Sequence, residues 1–126
     1  MLKYVGAVEM VAQILYKSIL TSLELNGELI NNFVPKMARV VMGINYYPTC
    51  PDPSLTLGLS AHSDVSCLTI LHPSEVPGLQ IKHKGDWVSV RPINESAFVV
   101  NIADQVEVCI CKIYLHHIGS RHFIVN

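Results

Sequence analysis

The chain has 126 residues, half of them hydrophobic and 15% charged, with a net charge of −1. That is enough for one domain with a modest core, and too apolar for a disordered segment. No Lys/Arg cluster offers a footprint for a nucleic-acid backbone, and no apolar run approaches the ~18–20 residues that span a bilayer. The start, MLKYVGAVEM, carries an acidic residue and has no signal-peptide layout. Cys50, Cys67, Cys109 and Cys111 form no C-x-x-C pair, which predicts reduced thiols in a cytoplasmic protein. Zinc held by Cys109, Cys111, His116 and His117 is conceivable, although that spacing fits no common zinc module.

In chain order, residues 2–25 read as a helix. Tyr4, Val8, Val11, Leu15 and Ile19 recur every three or four residues as one apolar stripe, while Lys3, Glu9, Gln13 and Lys17 fall away from it. Asn26-Gly27 is the expected C-cap, and a short helix over Glu28–Val34 is expected to stop before Pro35. Residues 1–36 thus read as a helical support that braces a sheet. From 37 to 126 the period is that of β-structure. Arg39–Tyr47 (RVVMGINYY) is strand-like, and the proline-rich run from Pro48 to Pro53 breaks it. After the segment Thr56–Leu71, a loop covers residues 72–78. Leu79–Lys82 and Trp87–Val90 make a hairpin about Lys84-Gly85-Asp86. Ala97–Ile102, Val106–Ile113 and His122–Val125 complete the set of short strands. Such strands between frequent turns, with helix at one end, predict a mainly β jelly roll.

The segment Thr56–Leu71 (TLGLSAHSDVSCLTIL) carries the chemistry. Leu57, Leu59 and Ala61 alternate with Thr56, Gly58, Ser60, His62 and Asp64, so a period of two puts His62 and Asp64 on one face, one pleat apart. An imidazole and a carboxylate that close can share a metal ion. With one distant histidine they form the two-His, one-carboxylate face suited to non-haem Fe(II) and oxygen. An isolated H-x-D is also found on polar strand faces in water. His72 and His83 read as solvated loop and hairpin residues, and Trp87 as packed on the sheet.

The blocks INYYPTCPDP (44–53), LGLSAHSDVSCLTIL (57–71), EVPGLQI (75–81), GDWVSVRP (85–92) and AFVVNIADQVEV (97–108) occur in an order and spacing that resembles the catalytic domain of the plant Fe(II)/2-oxoglutarate-dependent dioxygenases, which are isopenicillin N synthase-like. The resemblance implies a double-stranded β-helix, Fe(II) as metal, 2-oxoglutarate and O2 as cosubstrates, and hydroxylation, desaturation or demethylation of a small organic metabolite. By position, His62 and Asp64 match the first two iron ligands. Tyr47 matches a residue that hydrogen-bonds the 2-oxoglutarate carboxylate, and Asn45 a residue of the same pocket.

Toward the C-terminus the sequence departs from that family. The block of type YKS-x-x-HR-x-x-x-N corresponds to Tyr114–Asn126, where the stretch is about two residues too long and the His-Arg order reads Arg121-His122. A frame disturbance or altered splice junction would scramble a sequence in this way. His116, His117 and His122 compete for the third ligand position. His122 is chosen because it is nearest the closing Ile124-Val125-Asn126 signature, yet a one-residue slip in a strand reverses the facing side, so the alternative is that none of the three reaches the metal. The family's Arg-x-Ser clamp for 2-oxoglutarate has no counterpart before Asn126, and Ala103 stands where glycine is usual. The reading is therefore a truncated dioxygenase domain. Its alternatives are an inactive remnant acting at most as a binding module, and a cupin-like metal protein that does not use 2-oxoglutarate.

Overall fold

The computed structural model describes residues 1–24, 27–28, 40–91, 93–94 and 96–108, and the backbone of 123–125. They belong to two compact units, Met1–Tyr46 and Tyr47–Asn126, each described by itself.

The first unit is dominated by α1, Leu2–Ser22. The expected stripe is broader than the pattern indicated. Tyr16 and Leu20 are the most buried side chains, at 4% and 3% exposure, whereas Tyr4 and Val11 stand at the exposed edge. Val5, Ala12, Tyr16 and Leu20 form a second apolar line beside Val8, Leu15 and Ile19, and this second line holds both buried residues. The helix also stops earlier than Asn26-Gly27. Its C-cap is Leu23, and Glu24 takes the left-handed turn at φ 54°. The Ser18, Thr21 and Ser22 hydroxyls donate to the carbonyls of Ile14, Lys17 and Ile19 at 2.9, 2.8 and 2.7 Å. Such bonds compete for carbonyls in the last turns and weaken the helix there.

Residues 40–47 are not a strand, contrary to the β-like pattern of Arg39–Tyr47. β-branched and aromatic residues suit a pleated surface, but a strand also needs a neighbouring edge for its N–H and C=O groups. Among the described residues none pairs with this segment, and Val41 and Tyr46 are 86% and 85% exposed. The proline-rich break behaves as expected. Residues Pro53–Leu55 form a 3-10 turn that Asp52 caps by accepting from the Ser54 N–H.

Among the described residues the second unit carries six strands: β1 Leu59–His62, β2 Leu68–Leu71, β3 Leu79–His83, β4 Asp86–Ser89, β5 Val99–Ile102 and β6 Phe123–Val125. They form one sheet of order β1-β6-β3-β4 and one of order β2-β5, with antiparallel pairings. The chain passes from the first sheet to the second at β2, returns for β3 and β4, visits the second again at β5 and returns at β6. This alternation is jelly-roll winding, carried here by six described strands where a full jelly roll has about eight.

The β3–β4 hairpin closes on two residues, Lys84 at φ 51° and Gly85 at φ 97°. Positive φ at both central positions is a turn whose twist matches the flanking strands, and glycine accepts it without a steric penalty. His83 pairs with Asp86 and Ile81 with Val88, and the Val90 N–H extends the ladder to the Leu79 carbonyl at 2.9 Å. Lys82 stands opposite Trp87, its Nζ 6.0 Å from the ring centroid. His72, expected only to be solvated, is exposed but also lies against Phe98, with ring centroids 5.2 Å apart.

Two further expectations are corrected. Thr56–Leu71 is not one strand: β1 ends at His62, and residues 63–67 form a corner before β2. Val106–Ile113 is not a strand where it is described, since residues 104–108 are helical. Ala103 and Val106, three positions apart, are 4% and 1% exposed, while Gln105 between them is exposed. That spacing buries one side of a helical turn, not one face of a pleat.

Candidate metal centre

β1 delivers His62 at its last position. The ring Nδ1 lies 2.8 Å from the Ser60 carbonyl oxygen. A carbonyl can only accept, so Nδ1 carries the proton and the Nε2 lone pair is left free, the tautomer that a metal-ligating histidine uses. Nε2 faces Asp64 Oδ1 at 3.4 Å. Two donors on adjacent positions of one cation, each bonded at about 2.1 Å and meeting at a right angle, would stand about 3 Å apart. The pair is thus close to the spacing required. Side-chain exposures of 37% for His62 and 23% for Asp64 leave it open on one side. A nitrogen and a carboxylate oxygen with open positions beside them fit Fe(II).

Asp64 reaches this position from the corner, not from the pleat that the alternation implied. Its carbonyl accepts from the Asp104 N–H at 2.9 Å. The Ser66 and Cys67 carbonyls accept from the Gln105 and Ala103 N–H groups at 3.2 and 3.1 Å. The Ser63 hydroxyl donates to Asp104 Oδ2 at 2.8 Å, and the Cys67 thiol to Gln105 Oε1 at 3.0 Å. The β2–β5 ladder, with Leu68 opposite Ile102, holds both sides in register and brings residues 103–105 against the corner.

The 2OG-Fe(II) oxygenase superfamily model matches residues 38–119, most of the chain and all of this corner. The chain belongs to that superfamily. Protein DMR6-LIKE OXYGENASE 2 of Arabidopsis thaliana is 39% identical over 106 residues, covering 84% of this chain and 30% of that protein. Thebaine 6-O-demethylase of Papaver somniferum is 48% identical over 86 residues, 68% of this chain and 23% of that enzyme. Among solved structures, JOX2 in complex with 2-oxoglutarate, iron and JA superposes with a TM-score of 0.76 at 30% identity, over 98% of this chain and 36% of that one. The chain therefore spans about a third or less of the length of these relatives. The jelly-roll architecture agrees with that superposition, and the cofactors of the superfamily are Fe(II), 2-oxoglutarate and O2.

The dioxygenase resemblance also singled out Tyr47, Asn45 and a third histidine. Tyr47 is 45% exposed and opens the second unit, whereas Asn45 is exposed in the first. Among the described residues, no group of three His, Cys, Asp or Glu side chains could hold a metal. His116, His117 and His122 lie outside the described residues, as do Cys109 and Cys111. Phe123, next to His122 in sequence, stands opposite His62 in the β1–β6 pairing, where the register is irregular. Sequence reasoning missed Ser63 and Asp104. Its signal was a polar Asp-Gln pair directly after an apolar strand, inside a block already matched to the superfamily.

Proposed function

We propose that this chain provides the iron-binding core of an Fe(II)- and 2-oxoglutarate-dependent dioxygenase that hydroxylates, desaturates or demethylates a small organic metabolite in the cytoplasm. The observation that carries the reading is the His62–Asp64 pair, with Nδ1 occupied by the Ser60 carbonyl and Nε2 turned to the carboxylate. His62 and Asp64 hold the cation and His122 serves as the third ligand. Tyr47 hydrogen-bonds a 2-oxoglutarate carboxylate, and Asn45 lines the same pocket. The chemistry that bound iron supplies is the coupling of O2 reduction to oxidative decarboxylation of 2-oxoglutarate. The tautomer of His62 is set in advance by a backbone carbonyl, so no rearrangement is needed for its nitrogen to bind.

The activity test is succinate formation from 2-oxoglutarate, with Fe(II) and O2, in the 126-residue chain. Oxygen-dependent succinate that disappears in Asp64→Ala is the expected result. No succinate from a folded chain at saturating Fe(II) and 2-oxoglutarate would overturn the dioxygenase reading in favour of an inactive binding module.

A further inference from the structure

Asp64 lies outside any strand, so no ladder determines where its carboxylate points. Two hydrogen bonds to a single residue, Asp104, hold Ser63 and Asp64 instead. The Asp104 N–H donates to the Asp64 carbonyl at 2.9 Å, and the Asp104 carboxylate accepts from the Ser63 hydroxyl at 2.8 Å. One bond fixes the main chain of the ligand residue, and the other fixes the side chain of the residue before it. Together they close a small ring across 41 positions of sequence. Asp104 is itself anchored, because Ala103 and Val106 on either side of it are buried. We propose that Asp104 is a positioning residue: through Ser63 it clamps the corner and aims the Asp64 carboxylate at His62 Nε2. Asp104 is not a ligand in this assignment. It acts only through the direction it imposes on Asp64, and the proposal rests on the reading of His62 and Asp64 as a metal pair.

The test uses the full 126-residue chain, without O2, with Co(II) as the probe, and records affinity and the visible Co(II) absorption bands. Those bands report the arrangement of donors, which a general loss of stability would not alter. Asp104→Ala and Ser63→Ala are each expected to weaken Co(II) binding about 10- to 100-fold, the range found when a partner behind a metal ligand is removed. Both should shift the bands in the same way. The double variant should be no weaker than the weaker single one, because both remove one bond. Asp104→Asn should bind close to wild type, since its amide oxygen can still accept from Ser63. If Ser63→Ala and Asp104→Ala bind and absorb like wild type, the proposal is overturned. The same holds if Asp104→Asn is as weak as Asp104→Ala, because charge and not the hydrogen bond would then be acting. If circular dichroism shows Asp104→Ala unfolded, Ser63→Ala decides alone. Failure of the underlying metal reading looks different: wild type would not bind Co(II), or Asp64→Ala would bind it equally well, and the proposal would fall with that reading.

Discussion

The β3–β4 hairpin and the corner at residues 63–67 are held in opposite ways. In the hairpin, the turn residues lie between the strands they join, and the bonds between β3 and β4 stay within Leu79–Val90, while the other edge of β3 pairs with β6. In the corner, besides local bonds of Ser66, the backbone bonds run to residues 103–105, and two side-chain bonds span 41 and 38 positions. A short loop closes at little entropic cost, whereas the corner's long-range bonds close loops of 41 and 38 positions, held by the β2–β5 ladder. The turn and register of the hairpin are therefore set locally, and the ligand geometry depends on a distant segment. Chemistry placed on the corner can be tuned from residues 103–106 without any change in β1.

Substitutions should separate the two regions. The largest effect is expected for His62→Ala, which removes a direct donor and should lower Co(II) affinity more than about 100-fold, beyond the range for an outer partner. Amide exchange in β3 and β4 should stay as in wild type. Next is Val106→Ala. Its side chain is 1% exposed, and its truncation should cost roughly 2 kcal/mol in urea unfolding. Amides of β2 and β5 should lose protection before those of the hairpin. If both sets open together, the comparison is broken and the unit unfolds as one.

Gly85→Val attacks the hairpin from the other side. A β-branched residue at φ 97° should cost roughly 1–3 kcal/mol, with Co(II) affinity unchanged. A parallel loss of metal binding would show that the corner leans on the hairpin. The smallest effect belongs to Lys82→Ala, which removes the cation 6.0 Å from the Trp87 ring and should cost roughly 0.5 kcal/mol. Trp87 is the single tryptophan of the chain, so its fluorescence during unfolding reports on the hairpin directly.

What could be read from the sequence follows the same division. Gly85 beside Lys84, between alternating residues, announced the hairpin because the signal and its consequence are local. Ala97–Ile102 and His122–Val125 likewise correspond to β5 and β6, with narrower limits. Arg39–Tyr47 is rich in the β-branched and aromatic residues of strands, yet among the described residues no edge receives it. Val106–Ile113 is also β-like in composition, but its described part is a helical turn that buries Ala103 and Val106 on one side. His62 and Asp64 were legible as a pair from their spacing. The cause was not, since bonds from Asp104 hold Asp64 near His62 and no pleat is shared. A spacing of two residues carries no trace of a partner 40 positions away. The same is true of the helix: one apolar stripe was visible, but the buried residues Tyr16 and Leu20 lie on the line beside it, and only packing shows which line is deeper.

The central claim is that His62 and Asp64 form a working iron pair. Its most direct test is an anaerobic titration of the chain with Fe(II) and 2-oxoglutarate, following the visible charge-transfer band that arises when the keto acid chelates the metal. Asp64→Ala serves as control, and circular dichroism confirms that both proteins are folded. A band in wild type that is absent from Asp64→Ala is the predicted result. A folded wild-type chain with no band, or an equal band in both proteins, would contradict the account.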